Sequence, residues 1–157
     1  MSFGIGAAGL LMLAVPGVAA EPVLPRGAFI LPGSAVSGML QQCSRDVPKA
    51  GQGSWQPRPA DILALEAALP EMLRRQSPRD PLFWKNVPHD WRRQYVGIVR
   101  GGHRYIYGNF AKDNSDSNGV NWRREPMQVC DGGRNYFGVE YDVAGRRFTH
   151  VAFNGPY

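Results

Sequence analysis

The sequence predicts an α+β domain in which one principal helix packs on a four- or five-stranded antiparallel sheet. Three observations predict it. Apolar residues recur at helical spacing once, in PADILALEAALPEMLRRQ (59–76). Two later stretches rich in β-branched and aromatic residues fold back on short glycine-containing turns. The strand-like sequence follows the helix instead of alternating with it, the pattern of helix-on-sheet layers and not of βαβ units.

The chain opens with MSFGIGAAGLLMLAVPGVAA, read as a signal peptide over 1–20, with Val18 and Ala20 where a signal peptidase inspects the chain. Gly9 and Pro16 break the apolar run, which falls short of the roughly 20 residues a spanning helix needs, so no stable membrane span is expected after cleavage. Residues 21–157, about 137 in number, suit a single domain with one core. They carry the whole formal charge of +5, which draws an exported protein toward anionic partners. The expected location is periplasmic or secreted.

Residues 21–58 hold too many prolines and glycines for long regular structure, apart from a short helix around Val36 to Cys43. The main helix, 59–76, has an apolar stripe of Ile62, Leu65, Leu69 and Met72 or Leu73. Pro59 suits its first turn, Asp61 its positive end, and Arg74 and Arg75 its negative end; Pro70 predicts a kink or restart. SPRDPLFWKNVPHD is a connector with aromatic anchors. The sheet then fills 91–157. In WRRQYVGIVRGGHRYIYGNF both glycines of Gly101-Gly102 can adopt the positive φ of a type I′ turn. That turn pairs Arg100 with His103, Ile98 with Tyr105 and Val96 with Tyr107 on one face, and Gly97 with Ile106 and Tyr95 with Gly108 on the other. RNYFGVEYD and RRFTHVAFN form a second pair around VAGR, with Gly145 as the expected left-handed residue, and EPMQVCDGG can supply another strand. In element order the chain resembles small helix-on-antiparallel-sheet binding and inhibitor domains, cystatin-like or β-lactamase-inhibitor-like; no motif is shared, and such a likeness does not fix function.

Two cysteines, Cys43 and Cys130, are the natural disulfide pair in an oxidising compartment. Their pairing leaves no thiol nucleophile for His89, His103 or His150 to activate. The stretch NSDSNGVNWRRE (114–125) carries the spacing of an EF-hand calcium loop. Pro126, however, directly follows the last ligand position, where the exiting helix should already run, and the preceding sequence reads as strand. The stretch is therefore read as a polar loop, with Asn114, Asp116, Asn118 and Glu125 as a weak, non-helical calcium candidate. No cofactor motif is present: neither CDGG nor RGGH precedes the helix that a phosphate cradle requires, and the histidines lack metal-ligand spacing.

Glu140 and Asp142 fall on one strand face, the arrangement a small envelope hydrolase using paired carboxylates would need. The stronger signal is arginine among tyrosine and tryptophan, the composition of interface hot spots. The expected function is an exported binding module, inhibitor- or immunity-like, that engages a protein partner or an anionic envelope polymer; export disfavours nucleic acid. Arg100, Arg104, Tyr105, Tyr107, Arg123 and Arg124 are the expected contact residues. If the face carrying Tyr105 and Tyr107 is wet it is a binding strip, and if the helix covers it both rings belong to the core.

Overall fold

The computed structural model describes Met1 and residues 20–112 and 121–156. The signal-peptide reading and the calcium candidates Asn114, Asp116 and Asn118 lie outside the described residues.

Strand β1 (Ala28–Ile30) leads into a 3-10 turn (Gly33–Ala35) and the short helix α1 (Val36–Met39). Strand β2 (Gly53–Trp55), helix α2 (Pro59–Gln76) and helix α3 (Pro81–Asn86) follow. The chain closes with strands β3 (Trp91–Arg100), β4 (His103–Lys112), β5 (Tyr136–Asp142) and β6 (Arg147–Phe153). The sheet runs β1-β3-β4-β5-β6, and β2 shares the outer edge of β3 with β1. It is therefore a mixed sheet of six strands, not a purely antiparallel one of four or five: β1 lies parallel to β3, pairing Ala28 with Arg93 and Ile30 with Tyr95. Three-residue strands are too short to show alternation, so the proline- and glycine-rich sequence gave no sign of them.

Helix α2 forms over the expected span and runs through Pro70 as one element, without a restart. Ile62, Leu65, Leu69 and Leu73 are fully buried, and Asp61 accepts a hydrogen bond from the Arg58 backbone N–H (2.9 Å) at the helix start. The connector holds a further helix, α3, whose first turn is closed by the Asp80 carboxylate accepting from the Phe83 N–H (3.2 Å).

The β3–β4 register is the one the Gly101-Gly102 turn dictates, with Arg100 opposite His103, Ile98 opposite Tyr105 and Val96 opposite Tyr107. Both glycines have positive φ, 57° and 78°. The β5–β6 turn differs from expectation, because Arg146 and not Gly145 takes the left-handed conformation (φ 49°). Gly145 instead donates its N–H to Asp142 Oδ1 (3.0 Å), and a Cβ at that position would strike the same carboxylate.

EPMQVCDGG is not a strand. Its backbone groups are taken by amide side chains. Gln94 donates to the carbonyls of Trp122 (2.8 Å) and Glu125 (2.6 Å) and accepts from the Met127 N–H (2.7 Å). Asn154 donates to the carbonyls of Val129 (2.6 Å) and Asp131 (2.9 Å). These amides do the work of a strand ladder for an irregular segment that would otherwise leave polar groups unpaired.

Both faces of the sheet are covered. One carries α2 and α3 over Tyr95, Ile106, Phe110, Phe137, Val139 and Tyr141, with Phe110 stacked on Phe137 at 4.5 Å. The other lies under the N-terminal segment, where Leu31, Ala35 and Met39 bury Val96, Ile98 and Tyr107. The face carrying the tyrosines is thus dry at Tyr107 and half-covered at Tyr105, and the N-terminal segment, not the helix, covers it.

Cys43 and Cys130 form the expected disulfide, with Cα atoms 4.9 Å apart and 87 residues of separation. It ties the N-terminal layer to the segment after residue 121. For a loop of that size, closure entropy gives about 4.6 kcal/mol. Among the described residues, no helix is long and apolar enough to cross a membrane.

Candidate functional site at the turn end of the sheet

Because β4 pairs antiparallel with both β3 and β5, the β3–β4 and β5–β6 turns emerge at the same end of the sheet, joined by the Val143 N–H donating to the Arg104 carbonyl (3.2 Å). Exposed side chains here are strongly cationic: Arg104, Arg146 and Arg147, with His103 beside them. Arg147 lies 3.8 Å from Asp142 but is 74% exposed, so this contact neutralises little.

Arg100 is spent internally. Its guanidinium donates to both oxygens of Glu140 (2.9 and 2.6 Å) and to the Lys49 carbonyl (2.7 Å), and it lies over the Tyr105 ring at 4.3 Å. The Glu140 carboxylate, foremost, holds the guanidinium in its charged form by raising its pKa. Arg104 differs. Its guanidinium lies 5.2 Å from the Trp55 ring centre, and the indole is fixed by its N–H donating to the Tyr105 carbonyl (3.0 Å). Trp55, Arg58, Asp61, Arg104 and Val143, with Gln56, line a cleft of about 280 Å³.

The two carboxylates considered for catalysis are occupied. Glu140 is 2% exposed and, besides Arg100, accepts from the Thr149 hydroxyl (2.8 Å). Asp142 caps the β5–β6 turn. His150 faces the Asp46 carbonyl (3.0 Å). Glu125, the one calcium candidate among the described residues, reaches the Asn121 N–H (3.4 Å).

Of the six expected contact residues, only part share a surface. Arg104 is exposed at the turn end, with Tyr105 half-buried beside it under Arg100. Tyr107 is fully buried and cannot touch a partner: burial, the main cause, pushes its phenol pKa up, while the adjacent Arg45 guanidinium opposes the shift. Arg123 and Arg124 belong elsewhere. Their loop is anchored at Gln94, six residues along β3 from Arg100 and hence about 20 Å away, and Arg123 lies over Phe29 at 5.5 Å. A single strip containing all six does not exist, because the loop crosses toward β1 instead of flanking the hairpin tip.

Several polar residues central to the architecture escaped the sequence reading. Glu66 sits inside the apolar stripe of α2 and accepts from Arg93 (3.0 and 3.2 Å) and from the Tyr95 hydroxyl (2.7 Å), with Arg93 only 1% exposed. Arg45 donates to Asn109 (2.7 Å) and to Asn154 on the opposite face. The signal for the first was present: Glu66 follows Ile62 by four residues and so lies on the buried helix face, and Arg93 alternates with Trp91 and Tyr95.

No family model, curated protein or solved structure matches the chain.

Proposed function

We propose that this chain is an exported binding module that engages an anionic protein or envelope polymer through the turn end of its sheet. The observation that carries this reading is the concentration of exposed Arg104, Arg146 and Arg147 with His103 on two adjoining turns, where the Asp142 contact to Arg147 is long and exposed and Asp61, beside Arg104, is paired with Arg58. Such a field accelerates encounter with negative surfaces and selects against positive ones. The Cys43–Cys130 disulfide supports an oxidising compartment. The hydrolase reading has less support, since Arg100 and Thr149 saturate Glu140.

Retention of the purified protein on an immobilised polyanion across a salt gradient tests the proposal. The paired reversal Arg146→Glu/Arg147→Glu should elute at clearly lower salt than wild type, and Arg123→Glu/Arg124→Glu much nearer to it. Equal loss from both pairs would reduce the effect to net charge and refute a localised site. Glycosidase or peptidase turnover abolished by Glu140→Gln would replace the binding reading with the catalytic one.

A further inference from the structure

We propose that the cleft between Arg58 and Arg104 is a receptor for a single carboxylate borne by a partner protein, either an acidic side chain or a chain end. This rests on the binding-module reading and specifies the chemistry of its central contact. A guanidinium whose N–H edges are free presents the planar fork that matches a carboxylate. The Arg104 guanidinium carbon lies 5.2 Å from the Trp55 ring centre, and among the described residues its N–H groups make no hydrogen bond or ion pair. The indole cannot easily turn aside. Its N–H is committed to the Tyr105 carbonyl, and its backbone packs on Gly97 so closely that a Cβ there would run into the Trp55 carbonyl and ring.

The surrounding walls suit the same ligand. Arg58 is 70% exposed, and its side-chain contacts with Asp61 are long (3.3 and 3.5 Å), so it can turn to a stronger acceptor. Asp61, the acid lining the cleft, accepts from the Arg58 backbone N–H (2.9 Å) as well as from its guanidinium, so an incoming carboxylate must compete with it for Arg58 but not for Arg104. Val143 offers apolar surface to the methylenes that carry a side-chain carboxylate. At about 280 Å³ the cleft has room for one side chain and not for a run of polymer residues. Arg100, at the neighbouring turn position, could not serve, since Glu140 already fills its fork.

The test uses the ¹⁵N-labelled full chain titrated with three probes: acetylated, amidated hexaglutamate; a hexaglutamine peptide with a free C-terminus; and tripolyphosphate. At least one carboxylate probe should shift the Trp55 indole N–H and the Arg104 Nε–H. Arg104→Lys, which keeps the charge but not the fork, should weaken that binding about tenfold. Arg75→Lys, on the far end of α2, should change it less than twofold. Hexaglutamate binding identifies the side-chain carrier and hexaglutamine binding the chain end; either supports the assignment. Unchanged affinity in Arg104→Lys, shifts that miss Trp55, or Arg104-dependent binding of tripolyphosphate alone would each overturn it. The broader reading survives such a result if polyanion retention still depends on Arg146 and Arg147, and falls with it if that dependence is also absent.

Discussion

Replacing Glu66 by Gln changes one atom and leaves the charge of Arg93 stranded between helix and sheet. In the native protein the carboxylate accepts two N–H groups from Arg93 and the hydroxyl of Tyr95, with Arg93 and Glu66 only 1% and 7% exposed. Breaking a buried ion pair by neutralising one partner costs about 3–5 kcal/mol. The lower end applies here, because Arg93 keeps the Arg26 and Trp91 carbonyls (2.9 and 2.7 Å) and the Gln oxygen still accepts one bond. A loss of about 3 kcal/mol in a domain of this size lowers the thermal midpoint by roughly 10 °C. Thermal unfolding followed by circular dichroism, with urea titration for the free energy, reads it directly. The triple replacement Glu66→Leu/Arg93→Met/Tyr95→Phe removes every member of the network together and should lie much closer to wild type than Glu66→Gln does. A Glu66→Gln protein within about 1 kcal/mol of wild type would show that the carbonyls alone carry Arg93, and would refute this account of the helix–sheet interface.

Two further outcomes follow from the packing. Gly97→Ala should destabilise by about 1–3 kcal/mol in urea titration, since its Cβ meets the Trp55 backbone and ring, whereas Gly53→Ala, with open space around it, should be near neutral; equal effects would count against the close packing of β2 on β3. The phenols of Tyr95 and Tyr107 are pushed above their ordinary value, chiefly by burial. The unfolded chain therefore releases protons above about pH 10 that the native chain retains, and stability should fall as pH rises through that range. Ultraviolet titration of native protein should show both rings silent until unfolding, and early ionisation of either in the folded state would contradict its burial.

What the sequence disclosed was whatever depends on neighbours along the chain. The stripe of Ile62, Leu65, Leu69 and Leu73 and the register around Gly101-Gly102 are local periodicities, and both appear as expected. The disulfide was legible because two cysteines allow one pairing. Tyr107 was ambiguous because a strand with apolar residues on both faces does not say what covers each, and the cover came from a proline- and glycine-rich segment without periodicity. The same limit applied to the site. Glu140 is bound by Arg100 across the intervening β4, and Arg104 meets Trp55 from a strand on the far side of β3. Neither neighbourhood can be inferred before the strand order is known. EPMQVCDGG was misread because a ladder and a set of buried amides satisfy the same backbone groups, and only distant residues decide between them.

The attachment of β1 and β2 to one edge of β3 also sets an order of assembly. The two hairpins join residues close in sequence and close within microseconds. Strand β1 must wait for partners about 65 residues further on, Ala28 for Arg93. The N-terminal arm is therefore expected to dock after the hairpins, bringing Cys43 to Cys130 late. Oxidation would then act as a latch on a finished structure instead of a guide to it, and hydrogen exchange on the reduced chain should show the arm opening first, with Val96, Ile98 and Tyr107 losing protection before the hairpins and α2.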